Sequence, residues 1–158
     1  MVPPSDDPRS ISVIAVTAND VIAALEARRQ RSRPVVLRVT PPFSGRMRAR
    51  LHVAESEPST DEGVPGSTDT DAERGPPEPL HVDPRAFVGS DAPPYPRPAD
   101  TGDALRADSD ADYTVDRHHD RHRAAVASWR DRVRDHFVAE TTIETDRAPV
   151  RVDVVVLG

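Results

Sequence analysis

Arg46, Arg48 and Arg50 occupy every second position of the stretch RMRARLHVA, and His52 continues the series. On an extended strand this spacing turns all four side chains to one face, with guanidinium groups about 7 Å apart. Successive phosphates of a nucleic-acid strand have a similar spacing. Arginine's planar fork suits phosphate and carboxylate better than a point charge does. Arg38, in VVLRVT, joins the same face if the two segments pair as a hairpin across the turn PPFSG. The chemistry these residues offer is anion binding. The anion-binding set read from the sequence is Arg38, Arg46, Arg48, Arg50 and His52.

The wider charge pattern agrees. Between Ala27 and Ala54 there are eight arginines and no aspartate or glutamate, while the rest of the chain has 13 arginines against 27 acids. A basic block in a protein of formal charge −6 marks a place for an anion. The partner this predicts is a nucleic-acid backbone or an acidic protein segment. The competing reading is internal, with acidic loop residues or Asp153 neutralising the face. The face has no aromatic residue for base stacking, and FSGRMRARLHV lacks the aromatics of an RNP1 motif. At molar salt, binding would have to rest on directed hydrogen bonds rather than long-range field.

A second constellation opens the long helical segment in the run Asp116-Arg117-His118-His119-Asp120-Arg121-His122. His118 and His122, four residues apart, can share one ligand. They are the metal candidates, with His81, His52 or a loop aspartate as a third ligand. The glutamate of an H-E-x-x-H site is missing. His119 and His122 also continue the apolar positions Val126 and Trp129, which reads as a histidine rim where the helix leaves the core. No nucleophile elbow, paired-acid motif or phosphate loop is present, no cofactor is predicted, and the chain reads as a binding protein rather than an enzyme.

These side chains need elements to hold them. Residues 1–9 read as a polar, disordered arm. Ile11 to Val16 suits a buried strand. Thr17 followed by Asp20 resembles a capping box and opens a helix with apolar Val21, Ile22 and Leu25. Val35 to Thr40 and Arg46 to Ala54 read as two hairpin strands, the second strictly alternating, so that Met47, Leu51 and Val53 oppose the arginines. Residues 55–79 are acidic and poor in apolar side chains, which predicts a disordered insertion. Residues 80–112 read as an extended, Pro-rich loop. Residues 113–158 hold the longest helix, from Thr114 to about Glu140, and a last strand, Val150 to Leu157. The prediction is one α+β domain with residues 10–54 and 113–158 as its two parts. Its β-α-β-β-α-β order is that of the split βαβ, ferredoxin-like pattern.

The chain of 158 residues has no cysteine and no lysine, and all 21 of its basic residues are arginine. Disulfides and thiolate metal sites are therefore excluded. No secretory signal or bilayer-spanning apolar run is visible, which predicts a soluble, cytoplasmic protein without a membrane partner. The stretches IAVTANDVIAALE, VVLRVTPPFSGRMRARLHV and RHHDRHRAAVASWRDRVRDH, with the closing VRVDVVVLG, resemble a haloarchaeal protein family, a domain of unknown function. The resemblance implies habitat and domain limits and transfers no functional residue. Three functional readings follow from the residues: a binding or regulatory module with an arginine face, a metal-binding protein or metal-dependent enzyme built on His118, His119 and His122, and a structural subunit without a small ligand.

Overall fold

Thr17 closes the first strand and caps the first helix. Its Oγ1 accepts the backbone N–H of Asp20 at 3.1 Å, the bond that the Thr17–Asp20 spacing predicts. The computed structural model describes residues 3–30, 34–53 and 77–158. In it, strand β1 (Val13–Thr17) leads into helix α1 (Ala18–Gln30) and then strand β2 (Val35–Val39). Ile14, Val16, Val21, Val35, Leu37 and Val39 are all fully buried, so the β-branched runs seen in the sequence do supply core.

The arginine strand breaks in two. β3 (Arg46–Arg48) and β4 (Arg50–Val53) belong to different sheets. Ala49, fully buried between them, donates its N–H to the carbonyl of Ala15 at 3.0 Å. The chain bends there and changes partners, as strands do where they pass between sheets. The later strands are β5 (Leu80–Val82), β6 (Glu140–Ile143) and β7 (Val150–Leu157). One sheet has the order β3-β1-β7-β6 and the other β4-β2-β5. β1 runs parallel to both β3 and β7, β6 is antiparallel to β7, and β2 is antiparallel to both β4 and β5.

The mixed α+β class agrees with the sequence reading, but the ferredoxin-like order does not appear. A split βαβ puts an antiparallel strand between two parallel ones, whereas here β1 is parallel to both neighbours. The 1–9 arm, over the residues described, is tied down. Ser5 and Phe43 exchange two backbone hydrogen bonds of 2.7 Å. Asp7 accepts from the Arg9 backbone at 2.9 Å and pairs with the Arg9 and Arg147 side chains. The arginines, Arg9's side-chain hydrogen bond foremost, hold the Asp7 carboxyl down at about 2. The predicted insertion 55–79 lies outside the described residues as far as 76.

The segment expected as a loop over 80–112 contains β5, a 3-10 turn at Pro84–Phe87 and helix α2 (Pro98–Ala107). Pro98 sits in the first turn of α2, where its missing N–H costs nothing. The long helix, α3 (Val115–Val133), is shorter than expected and ends in a 3-10 turn at Arg134–His136. β6, β-branched in Thr141-Thr142-Ile143, follows.

Contacts divide the chain into two compact units. Residues 1–87 and 139–158 form the first, which holds both sheets and α1, and Val88–Val138 form the second, which holds α2 and α3. In the second unit, Trp129 is buried, donates its indole N–H to the Pro93 carbonyl at 2.9 Å, and meets Tyr95 edge-on at 4.9 Å. The Pro93–Pro96 stretch thus serves as packing for an aromatic anchor.

Candidate anion-binding groove

The antiparallel register of β2 and β4 sets Arg38 directly opposite Arg50, Leu37 opposite Leu51 and Val36 opposite His52. Residues opposite one another share a face, so Arg38, Arg50 and His52 stand together. On the other side of β2, Arg38 faces His81 of β5. Three basic side chains thus cross the small sheet in one row: Arg50, Arg38 and His81. Like charges placed opposite each other destabilise a sheet unless something neutralises them.

Among the described residues only Glu78 acts against this charge, and weakly, at His81. Arg38, Arg48 and Arg50 have no ion-pair partner there, and the Arg38 Nε–H is shielded from solvent with no hydrogen-bond acceptor. An orphaned guanidinium N–H is costly, and a ligand oxygen would relieve it. The side chains border a groove of about 490 Å³ lined by Arg38, Thr40, Met47, Arg48, Arg50, Leu51 and His52. Of the five residues read from the sequence, the structure brings four to this groove. Arg46, although exposed, lies outside its lining.

The apolar counterpart of the arginine face departs from expectation. Met47 is half-buried and Leu51 is 40 % exposed. Both border the groove rather than the core, because the strand needs Ala49, not its neighbours, to reach the interior. Thr40, Met47 and Leu51 therefore add a hydroxyl and an apolar floor to a site that sequence reading took for arginines alone.

His81 also escaped that reading. Its ring stacks on His52 with centroids 5.6 Å apart. Burial, then His52 and Arg38, push its pKa below the ordinary histidine value, against a weaker opposing pull from Glu78. The signal was present in Leu80-His81-Val82, where a polar residue between two apolar ones marks a short strand.

Part of the basic block is engaged elsewhere. Arg28, at the end of α1, pairs with Asp83 at 2.5 Å. Arg85 also pairs with Asp83, at 3.0 Å. Burial pushes the Asp83 carboxyl up, but the hydrogen bonds from Arg85 and the contact with Arg28 outweigh it and hold the group at about 2. Arg31 and Arg33 lie outside the described residues.

The histidine cluster sits in the second unit. His118 and His122 do converge on one atom, and it is the Oγ1 of Thr101 on α2, 3.1 Å from His118 Nε2 and 3.1 Å from His122 Nδ1. His118 Nε2 donates to the Pro98 carbonyl at 2.9 Å, and Nδ1 lies within hydrogen-bond distance of the Tyr113 hydroxyl at 3.2 Å. Both ring nitrogens of His118 are occupied. Gly102 makes the approach possible, since a Cβ there would stand 3.2 Å from His118 Cε1. His119, expected on the apolar stripe, is exposed. Eleven residues from His118 to Trp129 make about three helical turns, whereas ten from His119 fall roughly 80° out of phase. Among the described residues, no three histidine, aspartate or glutamate side chains gather to hold a metal ion.

A family model described as Domain of unknown function (DUF8009) matches residues 1–158, and the chain belongs to that family. No curated protein and no solved structure matches it. Among the described residues no helix is long and apolar enough to cross a membrane.

Proposed function

We propose that this member of the DUF8009 family is a non-enzymatic binding module whose groove takes an anionic partner, a nucleic-acid backbone or an acidic protein segment. The observation that carries this reading is the cross-strand pair Arg38–Arg50 at the groove, which has no ion-pair partner among the described residues. Arg48 extends the charge along the strand and His52 and His81 flank it. Thr40 offers a hydroxyl to a phosphate or carboxylate oxygen. Directed guanidinium bonds remain effective at high ionic strength, where field effects fade. That suits the cytoplasm of a salt-in haloarchaeon, which we read from the lysine-free, acidic composition.

The acidic stretch 55–78 follows β4 directly in sequence and is proposed as a competitor for the same arginines. The test is fluorescence anisotropy with labelled single-stranded DNA and with a polyglutamate peptide, on the full chain and on a variant lacking 57–77. Arg48→Glu should weaken binding at least tenfold with little change in thermal stability, and the deletion should tighten it. Phosphate contacts give a falling log affinity against log salt. Absence of binding by both proteins to both probes, at every salt that keeps the fold, refutes the proposal.

A further inference from the structure

The four-stranded sheet has a face whose composition calls for a cover. β3, β1 and β7 run parallel, and parallel strands are ordinarily covered on both faces. Here one face holds Ile14, Val16 and Val152, all within 1 % of complete burial, and opens only at its end, where Val156 beside Val16 is 37 % exposed. On the other face the register aligns Ala15 with Val155 and Thr17 with Leu157. Val155 is 45 % and Leu157 38 % exposed. A mainly apolar strip, Ala15, Val155 and Leu157 with the half-buried Thr17, therefore runs up the middle of the sheet on this face.

Charge flanks the strip with opposite signs. Arg46 and Arg48, both exposed, stand on the β3 side, aligned with Val13 and Ala15 of β1. Asp153 stands on β7, aligned with Val13 and with Glu140 of β6. One row across the sheet thus reads Arg46, Val13, Asp153, Glu140. Glu140 pairs with Arg151. Arg46 and Asp153 have no ion-pair partner among the described residues.

We propose that this face is the interface with a second copy of the chain. A twofold axis along the strands, passing between β1 and β7, lays the β3 side of one copy over the β6 side of the other. Sheets packed face to face stand about 10 Å apart. In that arrangement Arg46 reaches Asp153 and Glu140 of the second copy, Ala15 meets Val155, and Thr17 meets Leu157. The same operation repeats every contact, so one surface satisfies itself, as a closed dimer requires. Of the residues named here only Arg48 also borders the anion groove, and the proposal rests on Arg46, Asp153, Val155 and Leu157 instead.

The test is the mass of the full chain in solution, by light scattering and by sedimentation across concentration and salt. The expected result is twice the 17.3 kDa chain mass. Val155→Glu should halve the mass and leave circular dichroism and melting temperature unchanged, because the residue is exposed. Arg46→Glu should also give monomer, and Arg46→Glu combined with Asp153→Arg should restore the dimer. A monomeric parent chain overturns the proposal. So does an assembly that survives Val155→Glu, which would belong to another surface, or a double exchange that fails to restore association. Oligonucleotide binding by the Val155→Glu variant is read separately, so loss of the dimer and loss of the anion site are distinguished.

Discussion

Arg50→Glu should make the protein more stable and worse at binding. Arg50 and Arg38 are directly opposed on adjacent antiparallel strands, without a neutralising partner among the described residues. Directly opposed like charges cost, and opposite charges gain, roughly 0.2–1 kcal/mol relative to a neutral pair. Reversing one charge collects both terms. The net gain is about 1 kcal/mol, because Arg50 is exposed and solvent screens the pair. For a chain of this length that is a rise in melting temperature of about 2–4 °C. The new carboxylate would also give the orphaned guanidinium of Arg38 an acceptor.

The binding side of the prediction has the opposite sign. A charge-assisted hydrogen bond to an anion contributes roughly 1.5–3 kcal/mol, so losing the Arg50 contact and occupying Arg38 should weaken oligonucleotide or polyglutamate binding at least tenfold. Thermal melts and anisotropy titrations on one preparation read both effects. Arg50→Ala should give the smaller half of each. If Arg50→Glu lowers stability by more than about 1 kcal/mol, the arginine is a structural residue. If it binds anions as well as the parent chain does, the groove is not their site.

Further outcomes follow from other contacts. Trp129→Ala should cost about 3–5 kcal/mol, since the ring is 3 % exposed and bonded to Pro93, and a loss under about 1 kcal/mol in a denaturant titration would contradict the burial. Thr101→Val removes the hydroxyl on which His118 and His122 converge and should cost about 1–3 kcal/mol, whereas an unchanged unfolding midpoint would show that the hydroxyl does not hold the two helices. Asp83, held at about 2 against an ordinary 3.8, has a depressed folded-state pKa, so its stabilisation is complete above pH 3.8 and lost as pH falls towards 2. With its side chain 37 % exposed, screening reduces that contribution to about 1 kcal/mol. Asp83→Asn should remove it at neutral pH and flatten the acid limb of the stability curve.

What the sequence disclosed was local, and what it concealed was pairing. The Thr17 cap, the buried runs of β1 and β2 and the exposure of Arg46, Arg48 and Arg50 are all short-range consequences of residue type and period. α2 was hidden by the prolines around it, although proline at a first helical turn is a start signal rather than a breaker. β6 was hidden because a helical period was carried past Val133 to Phe137. His119 reads as part of the apolar stripe only if the period is counted from Val115, which is 63 % exposed; counted from the buried Trp129, the stripe passes through His118 instead. Parallel pairing of β1 with β3 and β7 has no local mark, since which strands meet is settled by long-range packing.

Ala49 shows how a local pattern and a non-local event combine. In RMRARLHVA it reads as one more inward position of an alternating strand. In the fold it is the only inward residue of that stretch that is fully buried, because a methyl side chain lets the backbone approach β1 at the point where the strand changes sheets. Arg46 and Arg48 are thereby committed to the larger sheet and Arg50 to the smaller, beside Arg38. A row that a straight strand would present on one sheet is divided between two, with Arg46 beside the apolar strip, Arg50 at the groove, and Arg48 bordering both. A larger side chain tests that role. Ala49→Val adds two methyl groups at a fully buried site, and overpacking of this kind costs typically about 1–3 kcal/mol. The backbone bond from Ala49 to Ala15 should weaken with it, seen as faster amide exchange at residue 49, while amides in the second unit keep their protection. If Ala49→Val leaves both stability and that exchange rate unchanged, the bend does not depend on a small residue, and the division of the arginines has another cause.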